Sequence, residues 1–554
     1  MASIDADRFL EEFRERLRKF RLELPINFPN PLDIKPSGRW KPAFKILIQS
    51  LCEKDLGGHL GLSIWDGYRF DQIKRLDNFT QDTYPSPYLV QESSSANVTA
   101  LVRGGHLVSV TAAKVSPALT VSSIIEKLPV SKAHIFIVMA CGFGYMFDSF
   151  DTYIISFAMP AMVKDWHITP VMMGMLTSSS MWGTLLGAII WGPLTDKFGR
   201  KFGFVGTVLG FSLVSGFTAL STSVTPFMVY RFITGMCLGG MIPVVSTLVA
   251  EYISVKHRGR YVAVITIMWP IGLLIAASCA LVMVPRFGWR VLFVLGALPA
   301  FLAFVVIKTL PESPRWLATK GKTDKAITVL KRLGATDTQL RDLEPEEVSE
   351  NVPFTVLLHK PYLKRIIATS GAYFFSYYGY FGYILWFPSF LATVYKLSLA
   401  TTFKYSVFVG LSSILGKLSA FYTIEKFGRK QLFYVGYGLG GIVGLFFGLI
   451  KNPVYILPGA CLIGYLLEYG VAGNVVWTPE LYPSKIRSTA NCFSVAWGKV
   501  SGALSPLAFG YFISRHWYYG VWVTMAICFA ITILIVATMG IETKGKTLEE
   551  IGAA

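Results

Sequence analysis

The sequence predicts an all-α membrane protein with twelve transmembrane helices in two pseudo-symmetric six-helix bundles. Three observations predict it: low charge with high hydropathy, long apolar runs at regular intervals, and a motif set that recurs at one offset. Of 554 residues, 53% are hydrophobic and only 16% charged, with mean hydropathy +0.49. A soluble domain carries about a quarter charged residues. Apolar runs of roughly 20 residues begin near His134, the length that a ~30 Å hydrocarbon core demands of a helix. Asp196-Lys197-Phe198-Gly199-Arg200-Lys201 returns 229 residues later as Glu425-Lys426-Phe427-Gly428-Arg429-Lys430. Glu251 and Arg258 return at the same offset as Glu480 and Arg487, and Gly187 as Gly416. Such self-similarity marks a duplicated membrane domain.

Taken in order, residues 1–130 are of a different kind. Asp7–Leu24 has apolar residues at helical spacing and predicts an amphipathic helix, followed by a proline-rich mixed stretch and a polar tract near Gln91–Ala96. This segment is read as a cytoplasmic extension of unknown role. Six spans follow in residues 131–310, at 134–163, 171–194, 202–220, 226–252, 261–284 and 289–309. A central loop covers 311–363. Six more spans lie in 364–540, at 364–394, 400–424, 430–450, 454–478, 486–514 and 517–540, and 541–554 form a tail.

The net charge of +18 raises the question of nucleic acid, which its distribution answers. Basic residues crowd alternate loops, as at Lys197–Lys201, Lys256–Arg260, Arg315–Lys360, Lys426–Lys430 and Lys485–Arg487. This positive-inside pattern predicts a multi-pass protein of the cell membrane with both termini cytoplasmic. The expected partners are a small-molecule substrate and the lipid bilayer, with no nucleic acid, and the chain is expected to act as a monomer. No CxxC or Cys/His cluster is present, so no metal site is expected. No P-loop or nucleophile–base set points to an enzyme, and no cofactor is expected.

Charges inside the spans are costly, about 2.5–3.5 kcal/mol at the bilayer centre on insertion scales, and by default mark a pathway or relay. Asp148 and Asp151 lie one turn apart in span 1, and Arg231 near the start of span 4. Their positions plus 229 are Tyr377, Tyr380 and Ala460, so the second half lacks these charges. The spacing predicts a proton-coupling group of Asp148, Asp151 and Arg231, powered by a proton gradient; the alternative is a buried pair that only packs spans 1 and 4. Lys417 in span 8, Glu468 and Asn474 in span 10, and Lys499 in span 11 are further buried polar candidates. Glu468 reads as a second protonatable site, a partner for Lys417 or Lys499, or a group near the outer surface.

These motifs resemble the major facilitator superfamily. Gly192-Pro-Leu-Thr-Asp196-Lys-Phe-Gly199-Arg200-Lys201 looks like its loop between helices 2 and 3. Gly235, Gly239, Glu251 and Arg258 are similar to its sugar-porter pattern in and after helix 4, as are Pro311–Trp316, Pro479–Pro483 and Glu542–Gly545 after helices 6, 10 and 12. The resemblance covers about residues 134–550. It implies the major facilitator fold and secondary active transport, with an Asp-Thr and an arginine of proton-coupled members at Asp151-Thr152 and Arg231. Asp196, Arg200, Glu251, Arg258, Glu425, Arg429, Glu480 and Arg487 then read as a cytoplasmic gate whose charges pair across the halves when the inner side is closed; Lys201 and Lys430 read as topology anchors.

The paired glutamines of hexose and pentose porters are missing from span 7 (Phe374-Phe375-Ser376-Tyr377-Tyr378) and no glutamine stands in span 5, while Trp477 in span 10 is shifted in register. Asp148, Asp151 and Gly239–Pro243 look more like aromatic-acid:proton symporters and nicotinate transporters. The expected cargo is a small organic anion, aromatic or short-chain, held by a cation (Lys417, Lys499 or Arg231) and by rings such as Tyr377, Tyr380 and Trp386, which otherwise simply pack. The alternatives are a sugar or polyol porter and, from another class, a non-transporting sensor.

Overall fold

The computed structural model describes residues 97–102, 106–111, 120–336, 340, 354–360, 362–450 and 452–545, apart from a few side chains. The amphipathic helix expected at Asp7–Leu24 lies outside the described residues. The chain divides into a unit up to Ala118 and a second from Leu119. Within the first, β1 (Asn97–Val102) and β2 (His106–Thr111) form an antiparallel hairpin.

The second unit carries the twelve predicted helices: α1 Lys132–Trp166, α2 Pro170–Phe198, α3 Arg200–Thr218, α4 Val224–Tyr252, α5 Val255–Phe287 and α6 Arg290–Thr309, then α7 Tyr362–Thr393, α8 Leu399–Phe427, α9 at 429–447, α10 Ile456–Glu480, α11 Ser484–Ser514 and α12 Tyr518–Met539. Several overrun the predicted spans by two or three residues. Nine of the described helices are long and apolar enough to cross a membrane by length and composition. The other three are α7 and α11, rich in tyrosine and serine, and α9, which a π-helical stretch at Tyr434–Leu439 interrupts.

The basic loops gather at one end of the bundle, called here the basic end. There Gly199 and Gly428 turn the chain from α2 into α3 and from α8 into α9, with φ of +113° and +92°, a region that glycine enters without a Cβ penalty. A glutamate from elsewhere fills the space a Cβ would need: Glu312 against Gly199 and Glu542 against Gly428. Each also caps the helix that starts there. Glu312 Oε1 accepts from the N–H groups of Arg200 (2.8 Å), Lys201 (3.1 Å) and Ser313 (2.9 Å). Glu542 uses both oxygens, Oε1 for Arg429, Thr543 and Lys544 and Oε2 for Lys430, all at 3.0 Å. Free helix N-terminal donors and the helix dipole both favour a carboxylate there.

At the opposite, far end the two halves are interlocked. Gly174 of α2 faces Pro506 of α11, and Gly510 of α11 faces Pro170 of α2; a Cβ would sit 2.6 and 2.5 Å from those carbonyl oxygens. Ser178 Oγ donates to the Ala503 carbonyl across the same seam (2.6 Å). Phe157 of α1 meets Phe403 of α8 edge-on.

Candidate transport site

Between the halves lies a cavity of about 190 Å³. Its lining runs from Val249, Val262, Pro479 and Asn491, near the basic end, to Trp269, Tyr380 and Lys417 at mid-bundle. The cavity therefore faces the basic end and is closed toward the far end. Its walls are mostly apolar and aromatic. Tyr145 packs on Trp269 (5.1 Å between centroids), and Tyr377 contacts Tyr373, Tyr380 and Phe381 at 5.1–5.9 Å.

Arg231, Lys417 and Lys499 differ sharply in their surroundings. Arg231 and Asp151 are both fully buried and paired at 2.8 Å, and Arg231 Nη2 also donates to the Asp151 carbonyl (3.1 Å) and reaches Ser180 Oγ (3.4 Å). Ser215 Oγ donates to the other Asp151 oxygen. Everything in this cluster belongs to α1–α4, and it does not line the cavity. Lys417 lines the cavity but is paired with Glu468 at 2.8 Å, both almost fully buried. Glu468 is thus the partner of Lys417, not of Lys499. Lys499 lines the cavity and makes no ion pair among the described residues; its Nζ lies 5.9 Å from the Phe381 ring centre. Asp148 is buried with Oδ2 unpartnered, and it interacts electrostatically with Lys499 and Asp151.

The expected substrate contacts separate. Tyr377, Tyr380, Lys417 and Lys499 share the cavity wall. Glu468 stands behind Tyr380, whose hydroxyl donates to it at 2.6 Å. Asn474 points elsewhere, donating to Ser376 Oγ and Tyr437 Oη at 2.9 Å each. Trp386 packs beside Gly510 at the far end, away from the cavity. Trp477 is buried and donates to the Ile541 carbonyl. Trp269, Tyr145 and Tyr153 escaped sequence reasoning, since a ring in an apolar span looks the same whether it lines a cavity or a core. For Lys417 and Glu468 a signal exists: they are 51 residues apart, the spacing that also joins Arg200 to Glu251 and Arg429 to Glu480.

The charged residues expected to form a gate make their described ion pairs within their own halves. Arg200 meets Asp196 and Glu251, the latter at 2.9 Å. Arg429 meets Glu425 (3.4 Å) and Glu480 (2.9 Å), with Thr543 Oγ1 also donating to Glu480. Arg487 Nε donates to the Tyr482 carbonyl (3.2 Å). The Arg258 side chain lies outside the described residues. Lys201 reaches the Ile307 carbonyl (2.7 Å). Outside the membrane spans, burial pushes the Glu312 carboxyl above the ordinary glutamate range despite its three backbone donors. Burial acts the same way on Glu542, but four backbone N–H groups outweigh it and hold that carboxyl below the range.

Residues 120–554 match the profile of the Sugar (and other) transporter family. The niacin transporter NiaP of Acinetobacter baylyi is 33% identical over 78% of this chain and 99% of its own length. The 4-hydroxybenzoate transporter PcaK of the same organism is 26% identical over 74% of this chain and 91% of its own length. Among solved structures, the xylose transporter XylE from E. coli, in an inward open conformation, superposes with a TM-score of 0.61 at 20% identity, covering 76% of this chain and 99% of its own. With its duplicated six-helix halves around one central cavity, the chain belongs to the sugar (and other) transporter family of the major facilitator superfamily.

Proposed function

We propose that this transporter is a proton-coupled symporter of a small organic anion, an aromatic or short carboxylic acid, working by alternating access. The observation that carries the reading is Lys499, a buried cation on an aromatic cavity wall with no ion-pair partner among the described residues. A buried charge demands compensation, and a carboxylate with an apolar body supplies it while its body packs on Tyr377 and Phe381. Arg231 and Lys417 are already neutralised by Asp151 and Glu468. The relatives named for niacin and 4-hydroxybenzoate, both ring carboxylates, support the same class.

Asp148, Asp151 and Arg231 form the proton-coupling group. Ionised, Asp148 offsets the field of Lys499; protonated, it leaves that field to the anion, so proton and anion favour each other's binding. The basic end is cytoplasmic by the positive-inside rule, so both termini are cytoplasmic and the cavity is inward-facing; since one chain supplies both walls of the cavity, the proposed working unit is the monomer. The gate charges, held within their halves in this state, are free to exchange partners across the halves when the inner side closes.

The test is thermal stability of the detergent-solubilised protein against a panel of carboxylates and sugars at acidic and neutral pH. A ligand at ~100 times its Kd stabilises by about 2.7 kcal/mol. Stabilisation by carboxylates, stronger in acid, is expected; stabilisation by sugars alone overturns the substrate class.

A further inference from the structure

Both side-chain-to-side-chain hydrogen bonds described between the halves end on one atom, the Tyr380 hydroxyl of α7. Tyr153 Oη of α1 lies 2.8 Å from it, and Trp269 Nε1 of α5 lies 3.0 Å from it and 2.8 Å from Tyr153 Oη. On its own side, Tyr380 Oη is 2.6 Å from Glu468 Oε1. The donor order follows from chemistry. Glu468 is paired with Lys417 through Oε2 and so is a carboxylate, an acceptor only. The Tyr380 O–H is therefore spent on Glu468, leaving its oxygen to accept from the other half. Tyr153 donates its O–H to that oxygen, and the Trp269 N–H is shared between the two hydroxyls. Every hydrogen points along one line toward Glu468, an arrangement in which each bond polarises the next.

The bridge sits where the cavity ends. Trp269, Tyr380 and Lys417 line the cavity, while the interlocked α2–α11 seam lies beyond them toward the far end. Opening the far end must draw α1 and α5 away from α7 and α10, and the bridge cannot survive that separation. The Asp151–Arg231 cluster, confined to one half, makes no hydrogen bond across to the other among the described residues.

We propose that the Tyr380 hydroxyl is a latch that holds the far end closed, set by the carboxylate of Glu468 and engaged by Tyr153 and Trp269 of the other half. It is a positioning residue: it selects the state in which the cavity faces the basic end. Because Trp269, Tyr380 and Lys417 also face the cavity, an occupant that bonds to any of them competes for the groups that keep the far end shut. Occupancy and opening are coupled at this point. The inference uses the alternating access of the family and does not depend on the substrate class proposed above.

The experiment follows two reporter cysteines, introduced one at a time into the full-length protein in detergent without ligand. Ser178→Cys faces Ala503 across the far-end seam, and Val475→Cys lines the cavity. The reading is the maleimide labelling rate above that of the chain without a reporter. Tyr380→Phe keeps the ring and removes the hydroxyl; it should speed labelling at position 178 about fivefold and slow it at position 475, the shift expected for the net loss of one to two hydrogen bonds in one of two states. Tyr153→Phe should act in the same direction more weakly, since Trp269 still donates to Tyr380. Combined with Tyr380→Phe it should add nothing, because both act through one bridge. Where Tyr380→Phe does not fold, Tyr153→Phe and Trp269→Phe carry the same test. Unchanged rates, faster labelling at both reporters as in a merely loosened protein, or additive effects of the two tyrosine substitutions overturn the latch.

Discussion

In the N-terminal half, Asp151 and Arg231 are surrounded by Ser180 and Ser215 of their own bundle. In the C-terminal half, Lys417 and Glu468 form an equally buried pair whose carboxylate reaches, through Tyr380, into the other bundle. The two pairs are not copies. The first has its acid on α1 and its base on α4; the second has its base on α8 and its acid on α10. Duplication preserved the charged basic-end loops and left each interior free to place its own charges. One pair keeps all its bonds within its own half, while the other reaches across to the partner half.

Breaking either pair should separate them most clearly. Arg231→Met leaves Asp151 buried and unpaired and should cost about 3–5 kcal/mol. Lys417→Met should cost less, about 2 kcal/mol: each carboxylate keeps one hydroxyl donor, Ser215 on Asp151 and Tyr380 on Glu468, but loss of Arg231 also removes its bonds to the Asp151 carbonyl and Ser180. Chemical unfolding of the two variants decides it, and an equal or larger loss at position 417 breaks the comparison. Next in size is the cavity cation. Lys499→Gln should weaken carboxylate binding about 10- to 100-fold, the worth of one charged hydrogen bond, as measured by titration calorimetry, while an amide analogue of the ligand should lose little on substitution. Asp151→Asn should then lower proton-driven accumulation in liposomes on the order of tenfold and leave exchange at equal concentrations running. Uphill accumulation that persists in this variant removes the N-terminal pair from coupling.

The smallest effect concerns the two capping glutamates. Glu542 accepts through both oxygens and Glu312 through one, so Glu542→Gln should lose about 0.5 kcal/mol and Glu312→Gln close to nothing. The pH signs differ as well. The Glu542 carboxyl is held below its ordinary range, so its contribution is present at neutral pH and lost as pH falls through its lowered pKa. Glu312 is held above the range, so folding favours its protonated form and that contribution is lost as pH rises through its raised pKa. Thermal melts of both variants across this range give the comparison.

The symmetric part of the molecule was legible in sequence because each gate motif sits at a helix end, where hydropathy and a fixed offset place it. Asp148, Asp151 and Arg231 were legible because charge is rare in apolar spans. The Tyr153–Tyr380 contact joins residues 227 apart, and nothing local distinguishes Tyr380 from the other tyrosines of α7 or Tyr153 from Tyr145 of α1. Glu312 and Glu542 appear in sequence as motif residues after α6 and α12; only the fold shows that each caps a helix that begins, just after a glycine turn, 112 or 113 residues earlier. Asn474 and Trp386 satisfied the composition rule for a binding residue and face other neighbours, since a helix position fixes a face only once its partners are known.

The α2–α11 seam closes by backbone against backbone, with Gly174 set on Pro506 and Gly510 on Pro170 in a reciprocal pair. At these two crossings the nearest approach is to backbone carbonyls, with the Trp386 ring beside Gly510. A carrier driven by a gradient is wasted by slip, and at these crossings close fit of the backbone adds to the hydrogen bonds that keep the far end shut. A methyl group at either glycine would hold the seam ajar and turn a tight carrier into a leak.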